Sequence, residues 1–329
     1  MTSEEANAPR TTDRAGGYEA WYVTVNDRAA RTGFWIRYAI FNPAPGAGGE
    51  PHAALWACSF HRDHPSANFA GRSELPLAAF SFEADPFCVR IGNAVLDSAG
   101  CRGGFVCDAG EARWDLSWES FAKPFRFLTA PWQSLTSAAN VGAQPALAVS
   151  GTIALGGSSH GLAGAGGGQQ HTWGKTHALE WNWGFGGGID DHASWFDGVS
   201  TRIGFAFGRV LRGSSLGLQL SGRRFALNTL PAALRHPGRV SPAGWELEAS
   251  AGDLVAAVSV RPRPEDLVGV TYPDPLGGHR YCYHTEVADL ELRLSERATG
   301  AVVDEVREEA IAAFEYASEH PLPGLPPRL

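Results

Sequence analysis

The sequence predicts an all-β protein. Forty glycines and twenty-one prolines among 329 residues indicate many turns and few helices. Segments rich in aromatic and β-branched residues recur between glycine, proline, asparagine and aspartate breaks. In residues 34–41 an apolar row at even positions alternates with a mixed row at odd positions, as expected of a strand with two different faces.

The predicted strands follow one another with little sequence left over for helices. Residues 303–318 fit either a strand or a helix, because apolar side chains also recur there at helical spacing. The strand candidates are residues 18–25, 34–41, 53–60, 88–91, 105–107, 112–118, 146–155, 170–183, 194–210, 216–220, 224–227, 244–249, 254–261, 279–294 and 310–317.

The length allows two domains or one large β-fold. Residues 156–168 hold seven glycines in thirteen positions, which predicts a flexible connector and a domain boundary. The predicted division is a disordered tail at 1–16, β-domains at 17–160 and 161–319, and a proline-rich tail at 320–329 that cannot enter a sheet.

Composition narrows the class of protein. A formal net charge of −8 without a lysine or arginine run argues against binding to nucleic acid or to an anionic membrane surface. Five cysteines without a CxxC pair favour free thiols in a reducing compartment. The polar N-terminus lacks the apolar core of a secretory signal, and no window approaches eighteen apolar residues. We therefore expect a soluble cytoplasmic protein, and the sequence leaves its oligomeric state open.

The most informative segment is residues 169–183, QQHTWGKTHALEWNW. Read as one strand, it forms a face of aromatic rings with a few protonatable groups. Such a face fits a large apolar ligand whose chemistry needs a proton, although packing of a tryptophan-rich core explains the rings as well. The residues on that face are His171, Trp173, Lys175, His177, Leu179, Trp181 and Trp183.

Two carboxylates near this segment are candidate proton carriers. Strict alternation points Glu180 to solvent, whereas a bulge would place it among the indoles, where lost hydration favours its acid form. Asp191 lies after the glycine-rich turn at 184–188 and before Trp195, where a loop at a barrel mouth can offer a base. We predict no metal, since His171 and His177 are too far apart on a strand to share one ion. Neither a nucleophile elbow nor a dinucleotide-binding fingerprint occurs, and no cofactor is predicted.

The pattern W-G-x-x-H-A-x-x-W-x-W at 173–183 resembles the signature of tocopherol cyclase. The chain is similar to the lipocalin-like superfamily that also includes carotenoid 1,2-hydratases and lipocalin-type Diels–Alderases. The segments at 19–38, 280–292 and 312–317 fit as well, and the last favours a strand for residues 303–318. The resemblance implies two lipocalin-like, calycin-type β-barrels or curled sheets in tandem.

The resemblance also implies cofactor-free chemistry on a bulky, apolar, unsaturated small molecule such as a prenylated, polyene or polyketide-like compound. The enzyme would be a hydratase-type lyase or a cyclase-type isomerase. We expect His177 or Glu180 to donate the proton and Asp191 to act as its partner base. The alternative is a binder that carries an apolar ligand without catalysis. The predicted ligand contacts are His171, Trp173, Trp181, Trp183, Trp195, Tyr281 and Tyr283.

Overall fold

A computed structural model describes residues 1–11 and 15–329 and confirms the all-β prediction. The strands form two curled antiparallel sheets, one from each part of the chain. The first sheet contains β1 (Gly17–Asp27), β2 (Thr32–Asn42), β3 (His52–His61), β4 (Phe69–Pro76), β5 (Phe80–Ala84), β6 (Phe87–Ile91), β7 (Ala94–Asp97), β8 (Gly100–Cys107), β9 (Gly110–Ser120), β10 (Phe125–Arg126), β11 (Ala138–Leu155) and β12 (Ser158–Gly174).

The second sheet starts after a short connection. Its strands are β13 (Glu180–Gly187), β14 (Trp195–Phe205), β15 (Arg209–Leu220), β16 (Arg223–Leu227), β17 (Trp245–Ala251), β18 (Leu254–Arg261), β19 (Val268–Pro273), β20 (His279–Glu296) and β21 (Val302–Ser318). The helical segments are α1 (Ser3–Asn7), α2 (Leu230–Arg235) and the 3-10 turns Pro65–Ala67, Leu77–Ala79, Trp132–Leu135, Ala206–Gly208 and Pro264–Asp266.

Strand order explains how each sheet curls. The first sheet runs β4-β3-β2-β1-β12-β11-β9-β8-β7-β6-β5, with β10 beside β11, and β4 comes back against β8 in a nearly closed barrel. The second sheet runs β16-β15-β14-β13-β21-β20-β18-β17, with β19 beside β20. The strand alternative for the last segment is confirmed, because β21 pairs with both β13 and β20.

Each sheet encloses its own apolar core, and a third apolar cluster lies between the sheets. The alternation predicted in residues 34–41 decides which core each row of β2 joins. Phe34, Ile36 and Tyr38 pack inside the first sheet, whereas Trp35 packs in the cluster between the sheets. A strand with two apolar faces therefore buries one against each core.

The glycine-rich segment at 156–168 is not a flexible connector. It forms the β11–β12 turn and much of β12, so the boundary predicted at 160/161 falls inside a strand. A Cβ at Gly166 would collide with the carbonyl oxygen of Gly187 in β13. These glycines bring the backbones of the two sheets together where no side chain fits. The chain passes from one sheet to the other at residues 175–179.

The two ends of the chain also pack on the sheets. Residues 3–7 form α1 instead of a disordered tail, and the Asn7 side chain is buried in hydrogen bonds with Gln169. Residues 12–14 of the predicted tail lie outside the described residues. The proline-rich end forms no named strand, but Leu329 and Arg328 share backbone hydrogen bonds with β19. Neither helix in the described part of the chain is long and apolar enough to span a membrane.

Candidate functional site

The segment at 169–183 is not one continuous strand. β12 ends at Gly174 in the first sheet, and β13 begins at Glu180 in the second. Between them, the carboxylate of Asp274 accepts hydrogen bonds from the backbone N–H of His177 at 3.0 Å and from the hydroxyl of Thr176 at 2.6 Å. The predicted single wall of rings is therefore divided between the two sheets, and only its second half faces a cavity.

That cavity has a volume of about 190 Å³ and lies between the two sheets. Its wall is largely apolar, with aromatic rings contributed by both sheets, and it also contains three groups that can carry a charge. The rings include Tyr22, Trp35, Trp181, Trp183 and Tyr272, and the three groups are Arg37, His177 and Glu315.

Two tryptophans on the cavity face of β13 each donate a hydrogen bond to a buried carboxyl group. The indole N–H of Trp181 lies 3.0 Å from Oε2 of Glu315, and that of Trp183 lies 2.9 Å from Oδ1 of Asp197. Residues two apart on a strand share a face, so the pair of indoles brings both carboxyl groups to one side of the cavity. The environments of the two carboxyl groups differ.

Asp197 is a completely buried carboxyl group behind Trp183, and it is not itself among the residues that line the cavity. It belongs to β14, in the same row as Val199 and Thr201, which line the cavity. Burial raises its pKa to about 8, although hydrogen bonds from Trp183 and Gln170 act in the opposite direction. Asp197 therefore holds a proton at neutral pH.

Glu315 is connected to a second buried carboxyl group through a histidine. His284 Nε2 lies 2.7 Å from Oε1 of Glu286, and Nδ1 lies 3.1 Å from Oε1 of Glu315. Burial by itself would lower the pKa of His284, but the two carboxylates raise it to about 9. Burial raises the pKa of Glu286 to about 7, against the effect of His284.

The same histidine decides the state of the carboxyl group that lines the cavity. Burial would raise the pKa of Glu315, but His284 and the Trp181 hydrogen bond hold it below its ordinary value. Glu315 is therefore ionised beside a protonated imidazole. The two indoles on the cavity face of β13 therefore contact an uncharged acid behind the wall, Asp197, and an ionised carboxylate in the wall, Glu315.

His177 lines the cavity, as predicted, but in its neutral form. Its ring stacks on Tyr18 with centroids 3.9 Å apart and lies near Tyr272 and Trp181. Burial lowers its pKa to about 3, against the attraction of Asp274. A neutral imidazole can accept a proton or a hydrogen bond, and it is a poor donor of a proton to carbon.

The other two predicted proton carriers are not among the residues that line the cavity. The carboxylate of Glu180 is half-buried and lies 3.7 Å from the guanidinium of Arg202. Asp191 is exposed, and its Oδ1 accepts hydrogen bonds from Ala193 N–H and from the hydroxyl of Ser194, both at 2.8 Å. The Ser194 hydrogen bond lowers the pKa of Asp191. The side chain of Asp191 stabilises the turn that it belongs to.

The predicted ligand contacts separate in the same way. Trp181 and Trp183 line the cavity, and the remaining five residues are packed elsewhere. His171 is buried between Glu19 and the carbonyl oxygen of Ala6 in α1. Trp173 packs on a small apolar cluster of Ala6, Val141 and Ala143. Trp195 is buried in the cluster between the sheets.

The late tyrosines face away from the cavity. Tyr281 and Tyr283 contact the core of the second sheet, because their row of β20 lies opposite that of His284. The hydroxyl of Tyr283 accepts a hydrogen bond from the Leu322 N–H at 2.6 Å. The row of β20 that reaches the site is the one that carries His284 and Glu286.

Sequence reasoning missed Asp197, His284, Glu286 and Glu315. All four lie in apolar strand segments, where a charged residue is costly unless it has a partner. That signal was readable in the segments WFDG at 195–198 and AAFEYA at 312–317. The partners come from different strands, and a single sequence does not show them.

Comparisons with known proteins identify the fold of the chain but not its reaction. No protein-family model matches the chain. An uncharacterised protein of Mycobacterium tuberculosis, found in two strains, is 29% identical over 308 residues, which cover 90% of this chain and 86% of the relative.

Two solved structures share the architecture along nearly the whole chain. A protein of Nitrosomonas europaea provisionally named AttH has a TM-score of 0.54 at 12% identity, covering 96% of this chain and 95% of that one. Kievitone hydratase from Nectria haematococca has a TM-score of 0.55 at 11% identity, covering 96% and 91%. At these identities the likeness shows the fold alone, and it is consistent with the lipocalin-like superfamily that the sequence resembles.

Proposed function

We propose that this protein is a cofactor-independent enzyme that protonates a carbon–carbon double bond of a bulky apolar ligand. Water or a group of the ligand itself then adds to the cation, which makes the product a hydrate or a ring. The observation that carries the proposal is the pair of indole-bound carboxyl groups, Asp197 and Glu315, with oppositely shifted pKa values. Two titratable groups driven apart in pKa by their surroundings are the usual arrangement for acid and base catalysis.

Asp197 is the acid in this proposal. The raised pKa keeps the proton on Asp197 at neutral pH, and the Trp183 and Gln170 hydrogen bonds hold the anion once the proton has gone to the alkene. In this proposal the proton leaves Asp197 beside Trp183, the residue of the cavity wall that it contacts. In the hydration branch, Asp197 loses one proton to carbon and the attacking water loses one proton to a base. Exchange with solvent restores both groups, so the net reaction adds one water.

Glu315 is the base, and His284 and Glu286 support it. The carboxylate reaches the cavity and takes the proton that the adding water or hydroxyl releases. His284, protonated between Glu286 and Glu315, keeps Glu315 ionised and therefore able to accept that proton. The surrounding indoles stabilise the cationic intermediate through their π-faces and exclude water from it.

Of the residues predicted from the sequence, His177, Trp181 and Trp183 keep a place in the proposal as parts of the cavity wall. The hydratase named among the structures of this fold agrees with the addition of water. The alternative, a carrier of apolar ligands, is favoured by the largely apolar lining of the cavity. Ionisable side chains inside the cavity favour the enzyme over the carrier.

The experiment uses a panel of prenylated phenols and acyclic polyenes, incubated with the full chain in D₂O. Mass spectrometry should find products with one deuterium bound to carbon. We expect Asp197→Asn and Glu315→Gln each to reduce turnover by roughly 100-fold or more, within the range of general acid and base catalysis. Glu246→Gln, on the exposed face of β17, should change nothing.

Circular dichroism and thermal unfolding check that each variant is folded. Full turnover by both folded carboxyl variants would refute the assignment of acid and base. Tight binding of panel members by the wild type, without product at any pH, would show a carrier instead.

A further inference from the structure

Arg37 is a buried arginine on the wall of the same cavity. It belongs to the row of β2 that faces the second sheet, and it is 7% exposed. Its guanidinium is charged at every physiological pH, so this charge is permanently inside the molecule.

No carboxylate of the described residues lies within 4.0 Å of this guanidinium, and its Nε–H has no hydrogen-bond partner among them. Arg62, which is equally buried, provides the contrast. It lies 3.0 Å from Asp266 and 2.6 Å from Asp289. Buried charges in proteins are normally paired in the manner of Arg62, so the isolation of Arg37 needs an explanation.

Aromatic rings surround Arg37 without replacing an anion. Its guanidinium carbon lies 4.4 Å from the Tyr272 ring centroid, 5.8 Å from that of Trp56 and 5.9 Å from that of Trp35. Cation–π contacts offset part of the lost hydration, and they leave the in-plane N–H donors free. The rings hold the guanidinium in place with donors available to a ligand.

We propose that Arg37 binds a carboxylate of the ligand, which makes the substrate an unsaturated carboxylic acid with a bulky apolar body. The planar guanidinium matches a carboxylate in two parallel hydrogen bonds. The carboxylate supplies the missing counter-charge, and the rings between Arg37 and Trp183 contact the apolar body. This inference depends on the proposed function in one respect, which is that both place the ligand in the same cavity.

A singly charged group fits this position better than a phosphate. Glu315 lines the same cavity as an ionised carboxylate and interacts electrostatically with Arg37. Glu315 is already balanced by the protonated His284, which leaves the Arg37 guanidinium as the charge on the cavity wall without an ion pair among the described residues. A single negative charge on the ligand balances it, and a second one would have no partner and would meet Glu315.

The test compares the binding of farnesoic acid and farnesol, which share an unsaturated chain and differ in the end group. Tryptophan fluorescence quenching and calorimetry at neutral pH measure both affinities without requiring turnover. We expect the wild type to bind the acid about 10-fold or more tightly than the alcohol, as a charge-assisted bidentate contact predicts. Arg37→Gln should abolish that preference, and Arg37→Lys should keep part of it.

Arg72→Gln is the matched control. Arg72 also lies over Trp56, at 4.9 Å, but it is ion-paired with Glu74 and more exposed, so its loss should leave the preference intact. Equal wild-type affinities for acid and alcohol, no binding of either, or a preference that survives in Arg37→Gln would each overturn the proposal. Asp197→Asn should keep the preference even if it loses turnover, which separates failure of this inference from failure of the proposed reaction.

Discussion

The described residues contain two buried histidine–glutamate pairs, and of these two the pair in the second sheet opens to the cavity. In the first sheet, His171 Nε2 lies 2.7 Å from Glu19, and Nδ1 lies 2.8 Å from the carbonyl oxygen of Ala6. The other oxygen of Glu19 accepts from the backbone N–H of Thr11 at 2.8 Å. The protein itself therefore uses every polar atom of this pair.

The pair in the second sheet is less completely satisfied. His284 holds Glu286 at 2.7 Å, but its Nδ1 lies 3.1 Å from Glu315 without hydrogen-bond alignment. Glu315 then continues to the cavity. The comparison teaches that burial and pairing alone do not mark a proton-transfer site. A partly satisfied contact next to a cavity is the more useful sign.

Breaking the Glu19–His171 pair, called the closed pair below because the protein uses all its polar atoms, should produce the largest change in stability. We expect Glu19→Ala to lower the free energy of unfolding by about 3–5 kcal/mol, because it leaves buried His171 without its partner. Urea denaturation measures the change. Glu246→Ala removes the exposed ion pair with Arg261 and should cost less than about 1 kcal/mol. Equal losses for the two variants would contradict a structural role for the closed pair.

The difference between the two pairs also shows what the sequence can reveal. Strand alternation correctly assigned the rows of residues 34–41, because the period of two depends only on local backbone geometry. The same reasoning failed at 169–183. The change of sheet after Gly174 is held by Asp274, a residue distant in sequence, and no local pattern shows that contact.

The candidate site was partly predictable for the same reason. Trp181 and Trp183 were found because they lie two apart in one strand. His284 was overlooked in favour of its tyrosine neighbours, since nothing local tells which face of β20 meets a cavity. Asp197 and Glu315 meet Trp183 and Trp181 through pairing with β13, and that register belongs to the tertiary fold.

The His284–Glu286 pair, called the open pair because it continues through Glu315 to the cavity, should make the stability of the protein depend on pH in the alkaline range. His284 has a folded pKa of about 9 against an ordinary value of 6.5, so the stability it provides is fully present below pH 6.5 and is lost as the pH rises through 9. Asp197 keeps its proton to about pH 8 when folded, which also lowers stability as the pH rises. We expect the free energy of unfolding to fall by about 3–4 kcal/mol between pH 7 and 9.

Denaturation at a series of pH values measures this slope. His284→Gln should flatten it between pH 7 and 9, and Asp197→Asn should flatten the part below about pH 8. A wild-type stability that is constant or rising over this interval would contradict the protonation states assigned to both groups.

The smallest effect is expected at Glu180, which with His177 was one of the two proton donors predicted from the sequence. Its ion pair with Arg202 is long and partly exposed, so Glu180→Gln should change the free energy of unfolding by less than about 1 kcal/mol. Turnover of any compound found in the panel distinguishes the two assignments, because Glu180 does not line the cavity and Glu315 does. A 100-fold loss in Glu180→Gln would favour the sequence-based assignment over the indole-bound carboxyl groups, since a general acid contributes roughly that much. Turnover within about twofold of the wild type would leave Asp197 and Glu315 as the acid and the base, because loss of a general acid costs far more than that.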